Sequence, residues 1–145
     1  MLSFTAVIYG ILAAGAAFLL ESLFLTGMSL NIIAFLMGAF LEEGAKLLFL
    51  FQWQKRFLAS VPPALPYRLF LFSLFGIGFA IIEISLASPP NINILLSLTG
   101  VHTLTSLLLG YILMRKSSSL SPLLLGLILA LCLHTGYNLM VDSLQ

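Results

Sequence analysis

Long apolar stretches separated by short polar breaks run through the whole chain of 145 residues. A helix needs about 20 apolar residues to cross the hydrocarbon core of a bilayer, and five stretches meet that length. They cover residues 4–26, 30–53, 67–88, 92–114 and 122–143. Only 8% of the residues are charged, against about 25% in soluble domains, so the chain cannot cover a water-facing surface. The sequence therefore predicts one all-α domain over residues 1–145, an integral membrane bundle of about five transmembrane helices.

The basic residues outside the spans fall on one side of the predicted bundle. With five spans, the N-terminus and the loops over 54–66 and 115–121 share a side. That side carries Lys55, Arg56, Arg68, Arg115 and Lys116. The opposite side carries Asp142 and no lysine or arginine. Because cytoplasmic loops are enriched in Lys and Arg, we expect the N-terminus in the cytoplasm and the C-terminus outside.

Five ionisable residues lie inside the apolar stretches, where such groups are costly and usually face a polar cavity or a partner. They are Glu42, Glu43, Glu83, His102 and His134. These residues belong to the second, third, fourth and fifth spans. With a helical rise of 1.5 Å per residue, they lie roughly 18–24 Å from the cytoplasmic ends of their helices. We therefore expect four helices to bring these side chains to one layer, slightly outside the midplane.

The second span carries the pattern Glu42-Glu43-x-x-Lys46. Adjacent residues of a helix point about 100° apart, so the two carboxylates cannot share one direction. Lys46 is within ion-pair reach of both glutamates. We expect one glutamate to pair with Lys46 and the other to point into a cavity, where it is a usable general base. A purely structural ion pair is the competing interpretation.

The other spans carry weaker single signals. Phe79 lies one turn before Glu83 and can form a wall of the same pocket, and His102 precedes hydroxyl residues that can bond to it or to the backbone. His134 and Asn138 are four residues apart and share one helix face. They can donate hydrogen bonds jointly to an oxyanion. Alternatively, the Asn138 amide can orient the His134 imidazole when that imidazole binds a metal. For each, an interhelical hydrogen bond with no catalytic role is the alternative.

Several features outside this set predict packing. Gly76 and Gly78 allow another helix to approach closely. Cys132 is expected to be a buried structural thiol, and Trp53 and Tyr67 to be interfacial anchors. Glu21, near the outer end of the first span, is expected to reach the interface or to border the cavity.

The ordered set of these motifs resembles the PrsW family of intramembrane proteases, within the CPBP superfamily that includes the CaaX prenyl endopeptidases. The matching residues are Glu42-Glu43-x-x-Lys46, Phe79-x-x-x-Glu83, His102 and His134-x-x-x-Asn138, over about residues 30–140. Lysine at 46 and glutamate at 83 favour the PrsW branch over the CaaX branch. The resemblance implies an endopeptidase in a prokaryotic plasma membrane. It further implies a single-span membrane protein as the substrate, such as an anti-sigma factor, cut near the outer membrane boundary.

Two mechanisms fit these residues. In the first, Glu83, His102 and His134 hold a divalent metal such as zinc, with Glu42 or Glu43 as the general base. In the second, which is metal-free, a glutamate and a histidine activate water while His134 and Asn138 hold the oxyanion. Lys46 and Phe79 are supporting residues in both mechanisms.

Two other classes of protein remain open. Glu42, Glu43 and Glu83 would form the relay of a proton or cation carrier, although no inverted repeat is visible. Alternatively, the polar cluster only specifies helix packing in a non-catalytic scaffold. The bilayer is the expected surrounding in every case, nothing points to a nucleic-acid partner, and the oligomeric state is left open.

Overall fold

The computed structural model describes residues 1–27, 32–58, 64–86, 91–115 and 120–143, and each of these ranges contains one α-helix. In chain order the helices are α1 (Leu2–Phe24), α2 (Ile32–Phe57), α3 (Leu65–Leu86), α4 (Ile92–Met114) and α5 (Leu120–Asp142). The prediction of an all-α fold is confirmed for the described residues. The breaks between the predicted spans lie partly outside the described residues, at 28–31, 59–63, 87–90 and 116–119.

Four of the five helices are long and apolar enough to cross a membrane: α1, α3, α4 and Ser121–Asp142 within α5. The prediction of a membrane protein rests on these four. Helix α2 is the longest, at 26 residues, but Glu42, Glu43 and Lys46 lie near its middle and reduce its apolar character. The length of α2 is sufficient to cross a membrane, whereas its charged residues make a crossing less favourable.

Glycines bring three of the helices into backbone contact. A Cβ atom on Gly10 of α1 would overlap the backbone of Phe75, and one on Gly78 of α3 would overlap the backbone of Val7. Two residues earlier, and so on the opposite side of α3, Gly76 lies against the backbone of His102 in α4. The close approach predicted for Gly76 and Gly78 is confirmed, and it holds α3 between α1 and α4.

The remaining packing closes the bundle around α2. Helix α1 also packs against α2, while α5 packs against both α4 and α2. Helices α2 to α5 therefore line one interior, and α1 covers it from the side of α2 and α3.

Trp53, predicted as an interfacial anchor, is fully buried within the bundle and is not exposed as such an anchor would be. Its indole N–H donates to Thr5 Oγ1 at 3.1 Å, and its ring packs edge-on against Phe72 at 6.2 Å. The spacing of Glu43, Lys46, Leu50 and Trp53 explains this, because alternating steps of three and four residues follow one helix face. All four side chains are buried. Tyr67, by contrast, is 40% exposed.

Cys132 is exposed, so the prediction of a buried structural thiol is wrong. It lies two residues before the fully buried His134. Two residues correspond to about 200° around a helix, so the thiol is directed away from the face that His134 occupies. The apolar neighbours of Cys132 in the sequence are partly an outward-facing surface of the bundle rather than its core.

Candidate functional site

Six ionisable side chains from four helices meet in the interior of the bundle. Helix α2 contributes three of them and α3, α4 and α5 one each: Glu42, Glu43, Lys46, Glu83, His102 and His134. Four are fully buried, namely Glu43, Lys46, His102 and His134. The side chains of Glu42 and Glu83 are 12% and 35% exposed. The single layer expected from helix depth is therefore a connected cluster in the structure.

Lys46 is the centre of this cluster. Its Nζ donates to Glu43 Oε1 at 2.6 Å, to His102 Nδ1 at 2.7 Å and to Thr105 Oγ1 at 3.1 Å. The ammonium also lies 4.4 Å from the centre of the Phe79 ring, which adds a cation–π contact. An ammonium group has three donors and no acceptor, so all of its hydrogen-bonding capacity is used here.

Contact with Lys46 fixes the tautomer of His102. Because the ammonium can only donate, Nδ1 of His102 is the acceptor and Nε2 carries the ring proton. Nε2 then donates to Glu83 Oε2, with which it is in contact. The His102 ring also lies 4.8 Å from that of Phe79. His102 is therefore held on both nitrogens and on one face.

The second histidine is held differently. His134 Nδ1 lies 2.7 Å from Glu43 Oε1, and since a carboxylate accepts, Nδ1 carries the proton. Its Nε2 is left with a free lone pair and has no hydrogen-bond partner among the described residues. Glu42 Oε2, which also lacks a partner there, faces this nitrogen at 3.6 Å. The structure thus leaves two buried acceptor atoms opposite each other.

Glu42 also borders a cavity of about 230 Å³ between α1, α2 and α3. Three carboxyl groups and Phe79 line it beside apolar side chains: Glu21, Glu42, Glu83, Ala14, Ala17, Phe18, Ile82 and Leu86. The carboxyls of Glu21 and Glu42 are hydrogen-bonded to each other. Of the two positions expected for Glu21, the one beside the cavity is found. Phe79 forms part of the wall, as its spacing from Glu83 predicted.

The division expected for the adjacent glutamates is also found. Glu43 pairs with Lys46, while Glu42, directed about 100° away around the helix, lies between the cavity and His134.

Among the described residues, Glu42, His102 and His134 form the group that could hold a metal ion, with one ligand atom each within 4.8 Å of the others. The sequence had pointed to Glu83 in place of Glu42. His134 fits a metal site, since a carboxylate on Nδ1 is the usual partner of a metal-bound imidazole. His102 does not fit as it stands, because its Nδ1 accepts from Lys46 and its Nε2–H is directed at Glu83. The donor set therefore offers two free ligands where a catalytic zinc takes three.

Asn138 is half-buried on α5 one turn after His134, and its side chain forms no hydrogen bond within the described parts of the chain. Thr105 is one of the hydroxyl residues after His102 that were expected to bond to that histidine or to the backbone, and its hydroxyl donates to the His102 carbonyl oxygen at 3.4 Å. It also accepts from Lys46 Nζ, a contact that the sequence did not predict.

Comparisons with known proteins identify no relative. No family model matches the chain, and no curated protein or solved structure matches it either.

We predict that Lys46→Met destabilises the protein by about 3–5 kcal/mol, because it leaves the buried Glu43 carboxylate without its cation. The double variant Lys46→Met/Glu43→Gln should recover part of that loss, since no unpaired charge remains. Unfolding midpoints in detergent measure both effects, with Lys55→Met at an exposed position of α2 as the control. A double variant no more stable than Lys46→Met would show that the pair is not the source of the loss.

Proposed function

We propose that this chain is an intramembrane endopeptidase that hydrolyses a peptide bond of a membrane-anchored protein. The observation that carries the proposal is the pair of buried, unpartnered acceptors Glu42 Oε2 and His134 Nε2, 3.6 Å apart beside a cavity. Buried polar atoms are usually satisfied, and unsatisfied ones call for an explanation such as a catalytic role. The ordered motifs that resemble the PrsW family support the choice of a peptide bond.

In this proposal Glu42 is the general base. Its carboxyl group borders the cavity, where it can take a proton from a water molecule as that water attacks the scissile carbonyl carbon. His134 stands behind Glu42 with a free Nε2, and Glu43 holds its Nδ1–H at 2.7 Å. A carboxylate behind an imidazole stabilises the imidazolium, so the proton can pass from Glu42 to His134.

The same proton completes the reaction. Attack by water forms the C–O bond and places negative charge on the carbonyl oxygen. His134 and Asn138, the donors that the sequence suggested for this oxyanion, are not among the described residues that line the cavity, so in this scheme the proton on His134 returns through Glu42. Collapse of the tetrahedral intermediate breaks the C–N bond, and the proton taken from water goes to the leaving amine. Lys46 and His102 take no proton in this scheme; they fix Glu43, Glu83 and Phe79 around the reacting groups.

Glu21 adds a hydrogen bond on the cavity side of Glu42. In our proposal Glu21 holds Glu42 in the orientation that faces both the cavity and His134.

We further propose that α2 also crosses the membrane, which gives five spans with the N-terminus in the cytoplasm and the C-terminus outside. Two of the three charged groups near the middle of α2, Lys46 and Glu43, compensate each other within the bundle, which lowers the cost of placing them in hydrocarbon. The positions of the basic residues support this orientation. A C-terminal tag that is labelled only after the membrane is permeabilised would refute it.

With this orientation the cluster lies in the outer half of the bilayer. The substrate is then a single-span protein with a flexible segment just outside the membrane, of the kind an anti-sigma factor presents. The resemblance to PrsW proteases further suggests a prokaryotic plasma membrane as the location.

We expect Glu42→Gln to lower the rate of cleavage by about 10²–10⁴-fold, the usual contribution of a general base. The assay uses liposomes that contain the protein and a single-span substrate with a flexible extracytoplasmic segment beside the membrane. Asp142→Asn, at an exposed acid near the end of α5, is the matched control and should cleave at the wild-type rate. Unfolding midpoints of both variants must match the wild type.

Equal cleavage by Glu42→Gln and wild type would remove Glu42 from the chemistry. A proton or cation carrier is the second candidate, because three carboxyl groups line one cavity. Cation uptake by liposomes that disappears in Glu83→Gln, with no cleavage by the wild type, would favour the carrier. Neither cleavage nor uptake would favour a non-catalytic scaffold.

The metal-free scheme predicts that chelators leave the cleavage rate unchanged. The reason is that both nitrogens of His102 are engaged by Lys46 and Glu83. Metal analysis after gentle purification should find far less than one divalent ion per chain. One tightly bound zinc ion that is lost in His134→Ala, together with inhibition by chelators, would establish the zinc mechanism instead.

A further inference from the structure

A second cavity, of about 360 Å³, lies away from the cluster at the end of the bundle where α3 begins and α4 ends. Within the described ranges, five residues line it: Leu65, Arg68, Tyr111, Met114 and Arg115. We refer to it as the arginine cavity. It brings two guanidinium groups from different helices to one place, and none of the described residues that line it carries a carboxyl group.

Arg115 is held in place by its neighbour one turn back. Its guanidinium donates to the Tyr111 hydroxyl and lies 4.9 Å from the centre of the Tyr111 ring. A guanidinium has five N–H donors, so most of them stay available. No ion pair joins Arg115 to an acid within the described ranges, and the Tyr111 hydroxyl keeps its own hydrogen to donate.

The rest of the lining is apolar and open to the bundle surface. Leu65 is 51% exposed and Tyr111 37%, at an end of the bundle that faces the interfacial region if the apolar helices span the membrane. A ligand that fits both parts has an anionic head for the arginines and an apolar body beside Leu65 and Met114. Phosphate oxygens suit the fork of a guanidinium particularly well, because they can accept two parallel hydrogen bonds.

We propose that the arginine cavity binds the phosphodiester headgroup of an anionic membrane lipid, with Arg68 and Arg115 on the phosphate and Tyr111 as a further donor. Basic pockets between transmembrane helices are known to take such headgroups. The cavity is formed by the start of α3 and the end of α4, so a bound lipid would contact both of the helices that carry Glu83 and His102. This site does not depend on the proposed protease activity.

The test measures lipid binding to the detergent-solubilised full chain by native mass spectrometry. The probes are phosphatidylglycerol and, for comparison, the zwitterionic phosphatidylcholine. We expect preferential binding of phosphatidylglycerol, and a loss of affinity of about tenfold or more in Arg115→Gln and in Arg68→Gln, as a charge-assisted hydrogen bond would give. Arg56→Gln is the matched control, because Arg56 is an exposed arginine on α2 that does not line the cavity.

Three results would overturn the proposal. Equal binding of the two lipids would show that there is no anion site. An equal loss in Arg56→Gln would show that the lipid responds to the overall basic charge rather than to this cavity. If millimolar inorganic phosphate displaces phosphatidylglycerol, and the acyl chains add nothing to the affinity, the cavity is a site for free phosphate. Circular dichroism of each variant checks that a loss of binding does not follow from unfolding.

Discussion

The buried ion pair between Lys46 and Glu43 is the interaction on which the rest of the interior depends. Both side chains are fully buried, and Nζ and Oε1 are 2.6 Å apart. Two charges removed from water require close geometry and further hydrogen bonds to offset the cost of desolvation. Lys46 obtains those bonds from α4, through His102 and Thr105, and Glu43 obtains one from α5, through His134. The need to satisfy one ion pair therefore ties α2 to two other helices.

The same pair gives the two histidines opposite roles. Lys46 can only donate and Glu43 can only accept, so the ring proton of His102 lies on Nε2 and that of His134 on Nδ1. His102 is then engaged by Glu83, whereas His134 presents a free lone pair to Glu42. As a result, both ring nitrogens of His102 are engaged, whereas His134 keeps one nitrogen that can accept a proton. For the protease that we propose, this difference is what separates the metal from the metal-free mechanism.

Composition and periodicity allowed the helices and the Lys46–Glu43 ion pair to be predicted, because both follow from the sequence of a single helix. The meeting of four helices in one layer was predicted by comparing how far along its own helix each ionisable residue lies. The sequence could not show which glutamate borders the cavity, since that depends on how α2 is rotated against α1 and α3. It also could not place Glu21 against Glu42, because their contact joins α1 to α2 without a shared motif. Cys132 was misplaced for a related reason: in a uniformly apolar helix, hydropathy does not distinguish the lipid-facing side from the buried side. Trp53 was misplaced although its spacing from Glu43, Lys46 and Leu50 puts it on the buried face of α2.

The unsatisfied atoms of Glu42 and His134 carry a cost that the fold must offset. A buried polar atom without a partner costs about 1–3 kcal/mol. Hydrophobic association gives little in lipid, so helices associate there largely by close van der Waals packing. The backbone contacts at Gly10, Gly76 and Gly78 supply such packing between α1, α3 and α4, next to the cavity rather than far from it. Tight glycine packing beside an unsatisfied polar pair is the arrangement expected if the pair is kept for its chemistry, because a scaffold would lose nothing by replacing both groups with apolar side chains.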